Sequence, residues 1–433
     1  MAMNEVQAPC DPAGESTTAT GVSPAPDRRP ARAPASASRG RPLERVLLRR
    51  LLQRAGLTDL TVYLPDGGKV TAGSEPTQYA ISFQSRAALW RVIRDREHGF
   101  LESFVDGSIE ISGDLIDFLN MLKRQHSLTP ERPISLRARL QDFFRRRKGR
   151  RSKDNVVHHY DLGNEFYRQW LDEQLVYTCA YFERPEMTLE EAQTAKLDHV
   201  CRKLRIRPGE TVIEAGCGWG ALALHLARHY GARVRAFNLS DEQVDYARER
   251  SRREQLDQLV EFVKDDWRQI TGRCDAFASV GMLEHVGPEN LRQLGTIIRR
   301  VLGGQGRGLI HTIGQNVAEP LSPWIEKNIF PGAQPPTLRQ MMDVFSPHDL
   351  SILDVENLRP HYALTLRHWL ERFDRHLSQV TAMFDERFAR AWRMYLASSA
   401  SAFEIGSLQL YQVLFAPIGS TFFPMTRRDV YQR

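Results

Sequence analysis

The stretch Thr211-Val-Ile-Glu-Ala-Gly-Cys-Gly-Trp-Gly220 decides how the rest of the chain is read. Its first five residues are mostly apolar and rich in β-branched side chains, the pattern of a strand buried on both faces of a parallel sheet. Gly216, Gly218 and Gly220 then alternate through a turn, and Ala221 to Tyr230 continues with helical spacing. Glycines on a strand-to-helix turn let the backbone approach a ligand at the carboxyl end of a sheet, where side chains would collide. The spacing differs from the dinucleotide pattern G-x-G-x-x-G and from the phosphate loop, whose lysine is missing here.

Outward from this turn, strand and helix patterns alternate from about residue 155 onward. Arg233 to Phe237, Val260 to Val263, Ala276 to Val280 and Gly308 to Thr312 read as strands, and Asp241 to Arg253 as a helix. This alternation predicts an α/β fold built on a mainly parallel sheet with helical insertions over 155–433. The C-terminal third reads as helical, through Leu366 to Phe373 and Phe384 to Phe403. Upstream, residues 42–128 read as a small α+β domain. Leu47, Leu48, Leu51 and Leu52 have helical spacing, and Leu60 to Leu64 alternates and ends in the turn signal Pro65-Asp-Gly-Gly68. Tyr79 to Phe83 reads as a second strand, Ala87 to Arg94 as a helix, Gly107 to Gly113 as a strand, and Leu115 to Leu122 as a helix.

Composition bounds the reading. The chain has 433 residues, 42% hydrophobic and 26% charged, which is ordinary globular material with enough apolar content for a large core. No apolar run approaches the roughly 18 residues needed to cross a bilayer, and no signal peptide pattern opens the chain. Residues 1–41 are rich in Ala, Pro, Ser and Thr with scarcely a large apolar side chain, and are expected to be disordered. The five cysteines, Cys10, Cys179, Cys201, Cys217 and Cys274, are scattered without metal-ligand spacing, so no metal site and a reducing cytosol are expected. The net charge of +6 is concentrated. In the linker 129–154, the span Arg132 to Lys153 holds ten basic residues against Asp142 alone. Such a segment is either a solvated linker or a docking element for an anionic surface, and no nucleic-acid-binding pattern accompanies it.

The glycine pattern resembles that of S-adenosylmethionine methyltransferases, and several further motifs resemble one family among them, the cyclopropane-fatty-acyl-phospholipid and mycolic acid cyclopropane synthases. The likeness is carried by Val157-His-His-Tyr-Asp-Leu-Gly-Asn-Glu-Phe-Tyr167, Val176-Tyr-Thr-Cys-Ala-Tyr-Phe182, Ser279-Val-Gly-Met-Leu-Glu-His-Val-Gly287, His311-Thr-Ile313, Trp324 to Gly332 and His361-Tyr362. The preceding unit, with Gly107 to Asp114, is similar to the N-terminal domain of the bacterial synthases, which the mycolic acid enzymes lack. A departure is Ser399, which stands where the bacterial enzymes often have a cysteine; the nearby Gln409-Leu-Tyr-Gln412 is retained.

The resemblance implies a Rossmann-like class I methyltransferase domain plus a small lipid-binding N-terminal domain. It implies transfer of the S-adenosylmethionine methyl group to the double bond of an unsaturated phospholipid acyl chain, then proton loss and ring closure. Carried over by motif, the cofactor would meet Tyr177, Thr178, Gly216, Cys217, Gly218, Gly220, Asn238, Leu239, Gln243, Asp266 and Trp267. Asn238 and Gln243 are the polar groups available to the ribose hydroxyls, Asp266 to the adenine amine, and Trp267 to the ring face. Cys179, Glu284, His311 and Tyr362 match the residues around a bound bicarbonate, the proton acceptor, with backbone groups of Gly281 and Ile313 completing the cage. The expected partners are unsaturated acyl phospholipids and an anionic membrane surface met peripherally from the cytoplasm, without nucleic acid; a homodimer is left open. The alternatives are a methyl- or methylene-branched product, another lipid or amine as acceptor, and a non-enzymatic lipid-binding protein.

Overall fold

A computed structural model describes residues 42–127, 162–422 and 425–431. The expected disordered tail, the basic linker and the His158-His159-Tyr160 part of the first motif lie outside the described residues. The glycine-turn strand is β5 (Thr211–Ala215), and it sits inside a seven-stranded sheet. The others are β6 (Arg233–Asn238), β7 (Val260–Lys264), β8 (Cys274–Val280), β9 (Leu302–Gly314), β10 (Leu350–Asn357) and β11 (Gln409–Pro417), in the order β10-β11-β9-β8-β5-β6-β7. β5 pairs in parallel with β6 and β8, and β8 with β9. The carboxyl ends of these strands therefore lie at one edge, where chain reversal between β5 and β8 leaves a crevice for ligands. β11 runs antiparallel to both β9 and β10.

The last two strands correct the reading of the C-terminal third as helical. β11 is buried along its whole length, so its run Leu410-Tyr-Gln-Val-Leu-Phe-Ala416 has neither the alternation of a half-exposed strand nor helical spacing. β10 is partly or fully exposed at every position after the buried Leu350, without a clean alternation, and its signal is correspondingly weak. The helices Arg359–Arg375 and Glu386–Ile405 between them are present as expected.

Residues 42–127 form a four-stranded sheet of β1 (Leu60–Tyr63), β2 (Lys69–Ala72), β3 (Tyr79–Phe83) and β4 (Ile109–Ser112), in the order β2-β1-β3-β4. The Pro65-Asp-Gly-Gly68 signal is indeed a turn, closed by Leu64 N–H to the Gly68 carbonyl at 2.8 Å and Gly68 N–H to Asp66 Oδ1 at 2.9 Å. It joins β1 to β2, a four-residue strand too short and too polar to stand out in the sequence. Helices Pro42–Arg54, Arg86–Arg94, Arg96–Val105 and Leu115–Ser127 complete the unit; the third of these went unread.

This unit shares one continuous core with the helices after β10: Leu60, Phe104 and Phe118 belong to the same cluster as Trp369, Trp392 and Phe403. Polar contacts fix the two parts together. Arg390 donates to the carbonyls of Phe104 (2.6 Å) and Ile109 (2.9 Å), Trp324 Nε1 donates to Glu102 (3.0 Å), and Arg367 bridges Asp117 (2.8 Å) and Glu404. Part-buried charge-assisted bonds of this kind fix the orientation of the two parts, since each needs its partner at a set distance and angle.

Candidate functional site

Two cavities meet at the carboxyl edge of the larger sheet. The smaller, about 140 Å³, is floored by the glycine turn: Gly216, Cys217 and Gly218 line it together with Asn238, Leu239 and Gln243 after β6 and Asp265, Asp266 and Trp267 after β7. The backbone reaches the cavity at Gly216 because no side chain fits there. Its φ is +85°, and a Cβ would lie 2.9 Å from Cβ of Met282. Gly220 behaves differently. It caps the following helix with a Cβ position 2.6 Å from the Phe262 ring, so it serves packing and is not on the cavity wall.

Polar groups on this wall are partly satisfied and partly not. Asn238 Nδ2 donates to Gln243 Oε1 at 2.7 Å and to the Gly218 carbonyl at 3.2 Å, which leaves Gln243 Nε2 buried without a partner. Glu214 Oε2, also on the wall, is buried and unpartnered. Burial raises the Glu214 carboxyl to about 7 and lowers the neighbouring Lys196 ammonium to about 8. A buried donor and a buried acceptor facing an open cavity are the mark of a site that expects a polar ligand. Asp266 is committed within the chain: it accepts from Arg268 N at 2.9 Å and pairs with the Arg268 guanidinium at 3.0 Å, which in turn lies 4.5 Å from the Trp267 ring.

The larger cavity, about 710 Å³, falls in the range of sites that hold a whole small molecule. Its walls are overwhelmingly apolar. One side comes from the first unit, through the inward side chains of β1 and β3 (Leu60, Val62, Ile81, Phe83) and of its helices (Leu48, Leu89, Phe100). The other side holds Phe330, Tyr362, Tyr395 and Phe403, with the Tyr362 ring 4.5 Å from that of Phe403. Ser399 also lies on this wall. Tyr177, Thr178, Gly281 and His285 line both cavities, so the two spaces adjoin at these residues. Gly281 (φ +73°) is confined there, since a Cβ would meet Thr178 at 2.8 Å.

Of the residues expected around an anion, Glu284, Tyr362, Ile313 and Gly281 line the larger cavity, whereas Cys179 and His311 lie buried outside its lining. Glu284 Oε1 accepts the Ile313 N–H at 2.6 Å, and the Gly281 N–H is given to the His311 carbonyl at 2.9 Å. The backbone N–H groups at both positions are thus already engaged. Gln412 Nε2 donates to His311 Nδ1 at 3.0 Å, so the neutral ring carries its proton on Nε2, which is buried without a partner. Burial holds His311 well below the ordinary histidine range and pushes the Cys179 thiol up, so neither is charged at neutral pH. Burial also raises Glu284 to about 7, and its Oε2 has no partner. Glu284 and His311 share no hydrogen bond with each other. The four described cysteines are buried and unpaired, and no described helix is long and apolar enough to cross a membrane.

Glu214, Lys196 and His285 were not expected to line the site. Glu214 stood in the quoted motif as part of the strand; Lys196, on the Leu189–Leu204 helix, reads as an ordinary surface lysine. His285 lay beside the singled-out Glu284 in one motif, and burial lowers it to about 4.

Residues 147–413 match the family described as mycolic acid cyclopropane synthetase. A probable fatty acid methyltransferase of Pseudomonas putida is 34% identical over 386 residues, 86% of this chain and 96% of its own. The cyclopropane-fatty-acyl-phospholipid synthase of Escherichia coli K12 is 35% identical over 329 residues, 75% of this chain and 85% of its own. Among solved structures, the cyclopropane synthase MmaA2 from Mycobacterium tuberculosis superposes with a TM-score of 0.59 at 31% identity, covering 61% of this chain and 97% of its own. The mycolic acid cyclopropane synthase CmaA1 in complex with SAH and CTAB gives 0.58 at 31% identity, covering 60% and 97%. The match over 147–413, the sheet order and the glycine turn agree: the chain belongs to the mycolic acid cyclopropane synthetase family, as an S-adenosylmethionine-dependent methyltransferase of the cyclopropane synthase type.

Proposed function

We propose that this enzyme converts the double bond of an unsaturated phospholipid acyl chain into a cyclopropane, working at the cytoplasmic membrane face as a peripheral protein. The observation that carries the reading is the junction of a polar cavity at the glycine turn with a long apolar cavity at Tyr177, Thr178, Gly281 and His285. The first suits the methyl donor and the second a hydrocarbon chain. S-adenosylmethionine fits the first: Gln243 Nε2 is a free donor for a ribose hydroxyl, and Glu214 Oε2 a free acceptor for the ammonium. Replacing Gln243 by Leu removes that donor and its bond to Asn238. S-adenosylmethionine affinity should fall roughly tenfold, in line with about 1–2 kcal/mol for one buried hydrogen bond, as titration calorimetry would read directly.

The chemistry asks three things of the chain. An alkene is a weak nucleophile, so it must be held against the sulfonium methyl, and the apolar walls confine it there. As the π pair forms the new C–C bond, the S–CH3 bond breaks with its electrons going to sulfur, and positive charge appears on the second alkene carbon. The rings of Tyr177, Tyr362, Tyr395 and Phe403 face that space and exclude water from it. Finally a proton leaves the transferred methyl, and the freed C–H pair closes the ring. Glu284 Oε2, an acceptor without a partner on the cavity wall, suits a small oxyanion that carries a proton, such as bicarbonate, with the unpartnered His311 Nε2 proton buried beyond that lining. When bound, that anion supplies a base smaller than any tethered side chain. Glu284 would then take the proton onward, and Tyr362 would shape the space.

The test is lipid analysis after expression in a host lacking the activity. The reading expects phospholipid acyl chains heavier by one CH2 with the olefin lost. A methylene product, with the olefin retained after locating the unsaturation by fragmentation, would contradict it.

A further inference from the structure

The helices that wall the apolar cavity from the first unit have outer faces of a distinct kind. Pro42–Arg54 turns Leu48 and Leu52 inward and leaves Val46, Leu47, Arg49, Arg50 and Arg54 in solvent. Arg86–Arg94 buries Leu89 toward the cavity and exposes Trp90 and Arg94. Trp90 is 43% exposed, whereas the other six tryptophans of the chain are all buried. Among the described residues Arg86 pairs with Glu44 (3.7 Å) and Arg91 with Asp106 (2.5 Å), but Arg49, Arg50, Arg54, Arg94 and Arg96 pair with no carboxylate. The cavity itself comes to the surface beside these helices: its exposed lining includes Ala55, Arg96 and Glu97.

The exposed apolar side chains Val46, Leu47 and Trp90 gain by leaving water, and the unpaired arginines among them are free to meet anions. They suit the boundary between anionic headgroups and acyl chains, where the indole sits at headgroup depth and each guanidinium meets phosphate. We propose that the outer faces of helices Pro42–Arg54 and Arg86–Arg94 form the surface by which this enzyme docks on an anionic phospholipid bilayer, with the apolar cavity opening beside the contact. The proposal rests on the lipid reading above and deepens it. It gives the unit that walls the cavity a docking face of its own beside the basic linker, so that an acyl chain leaves the leaflet and enters the site without crossing water. Asp95 and Glu97 lie at the same edge and oppose the attraction locally, but five unpaired arginines outnumber them.

The experiment uses full-length protein and vesicles of phosphatidylglycerol and phosphatidylcholine. Wild type should bind vesicles rich in phosphatidylglycerol and not pure phosphatidylcholine. The R49A/R50A/R54A triple variant should bind about 100-fold more weakly, from roughly fivefold per arginine near an anionic leaflet. Vesicles with brominated acyl chains should quench wild-type tryptophan emission, and Trp90→Phe should lose that quenching. Both variants should convert detergent-dispersed unsaturated phospholipid at the wild-type rate, which shows that they are folded. Vesicle affinity of the triple variant within twofold of wild type, or quenching that survives Trp90→Phe, would overturn the proposal. So would a change of oligomeric state by light scattering that accounts for the loss, since the face would then belong to a second copy. Wild-type protein that binds vesicles yet leaves dispersed phospholipid unconverted would instead overturn the substrate reading and uphold the docking face.

Discussion

Replacing Glu284 by Gln is expected to lower the rate of ring formation roughly 10²–10⁴-fold, the usual worth of a positioned proton acceptor, with S-adenosylmethionine binding retained. Gln keeps the size and can still accept the Ile313 N–H, but it takes no proton. The pH profile should separate this from a packing effect. Burial raises the Glu284 carboxyl to about 7, so below that pH it already holds a proton and cannot receive another. The wild-type rate should therefore climb as pH rises through about 7, and the Gln variant should lose that limb. The same shift bears on folding: a carboxyl raised on folding favours the native state below the unfolded value and loses that contribution as pH rises through about 7. A melting temperature that falls as pH rises from about 4.5 to about 7 in wild type and levels off above that, with a smaller fall in Glu284→Gln, would agree. An unchanged rate in this variant removes Glu284 from the mechanism.

The second large effect concerns the apolar cavity. Val62 points from β1 into it, and Val62→Phe directs a ring into space that an acyl chain would occupy. Turnover of long-chain substrates should fall about 100-fold, the scale of loss when a reacting group is displaced by about an ångström. S-adenosylmethionine affinity should be unaffected, because Val62 is on the wall of the larger cavity alone. Shorter acyl chains should be affected less. A thermal melt checks for overpacking, which costs about 1–3 kcal/mol in a filled core and less where the new ring enters open space. Equal losses for short and long chains would mean that this part of the cavity does not hold the hydrocarbon.

How much of this was legible in the sequence depends on how local each feature is. The β5 turn could be read because strand, glycines and helix are contiguous, and Asn238, Gln243 and Trp267 follow as the ends of the next two parallel strands. β11 could not, since a strand buried on both faces has no periodicity to betray it. The anion-site residues were named from motifs, but nothing in those motifs says that Ile313 N–H is bound to Glu284, or that His311 and Cys179 lie outside the cavity lining. Lys196 on the cofactor wall has no sequence signal, because its burial is decided by Asp172, Thr178 and Glu214, which come from other elements. The largest omission is that residues 42–127, expected only as a small lipid-binding domain, supply one wall of the apolar cavity. Leu60, Val62, Ile81 and Phe83 read as the core of a small accessory domain. They turn out to face a cavity whose other wall comes some 300 residues later in the chain.

The account turns on the two cavities delivering a methyl group to an olefin, and one measurement addresses that most directly. Purified enzyme is supplied with S-adenosylmethionine carrying a ¹³C-labelled, fully deuterated methyl group and with a monounsaturated phospholipid, and the lipid is examined by NMR and mass spectrometry. The account predicts the label in a ring methylene that retains two of its three deuterons, with the olefin resonances lost. Label in a methyl group with all three deuterons, or in the headgroup with the double bond intact, would contradict it.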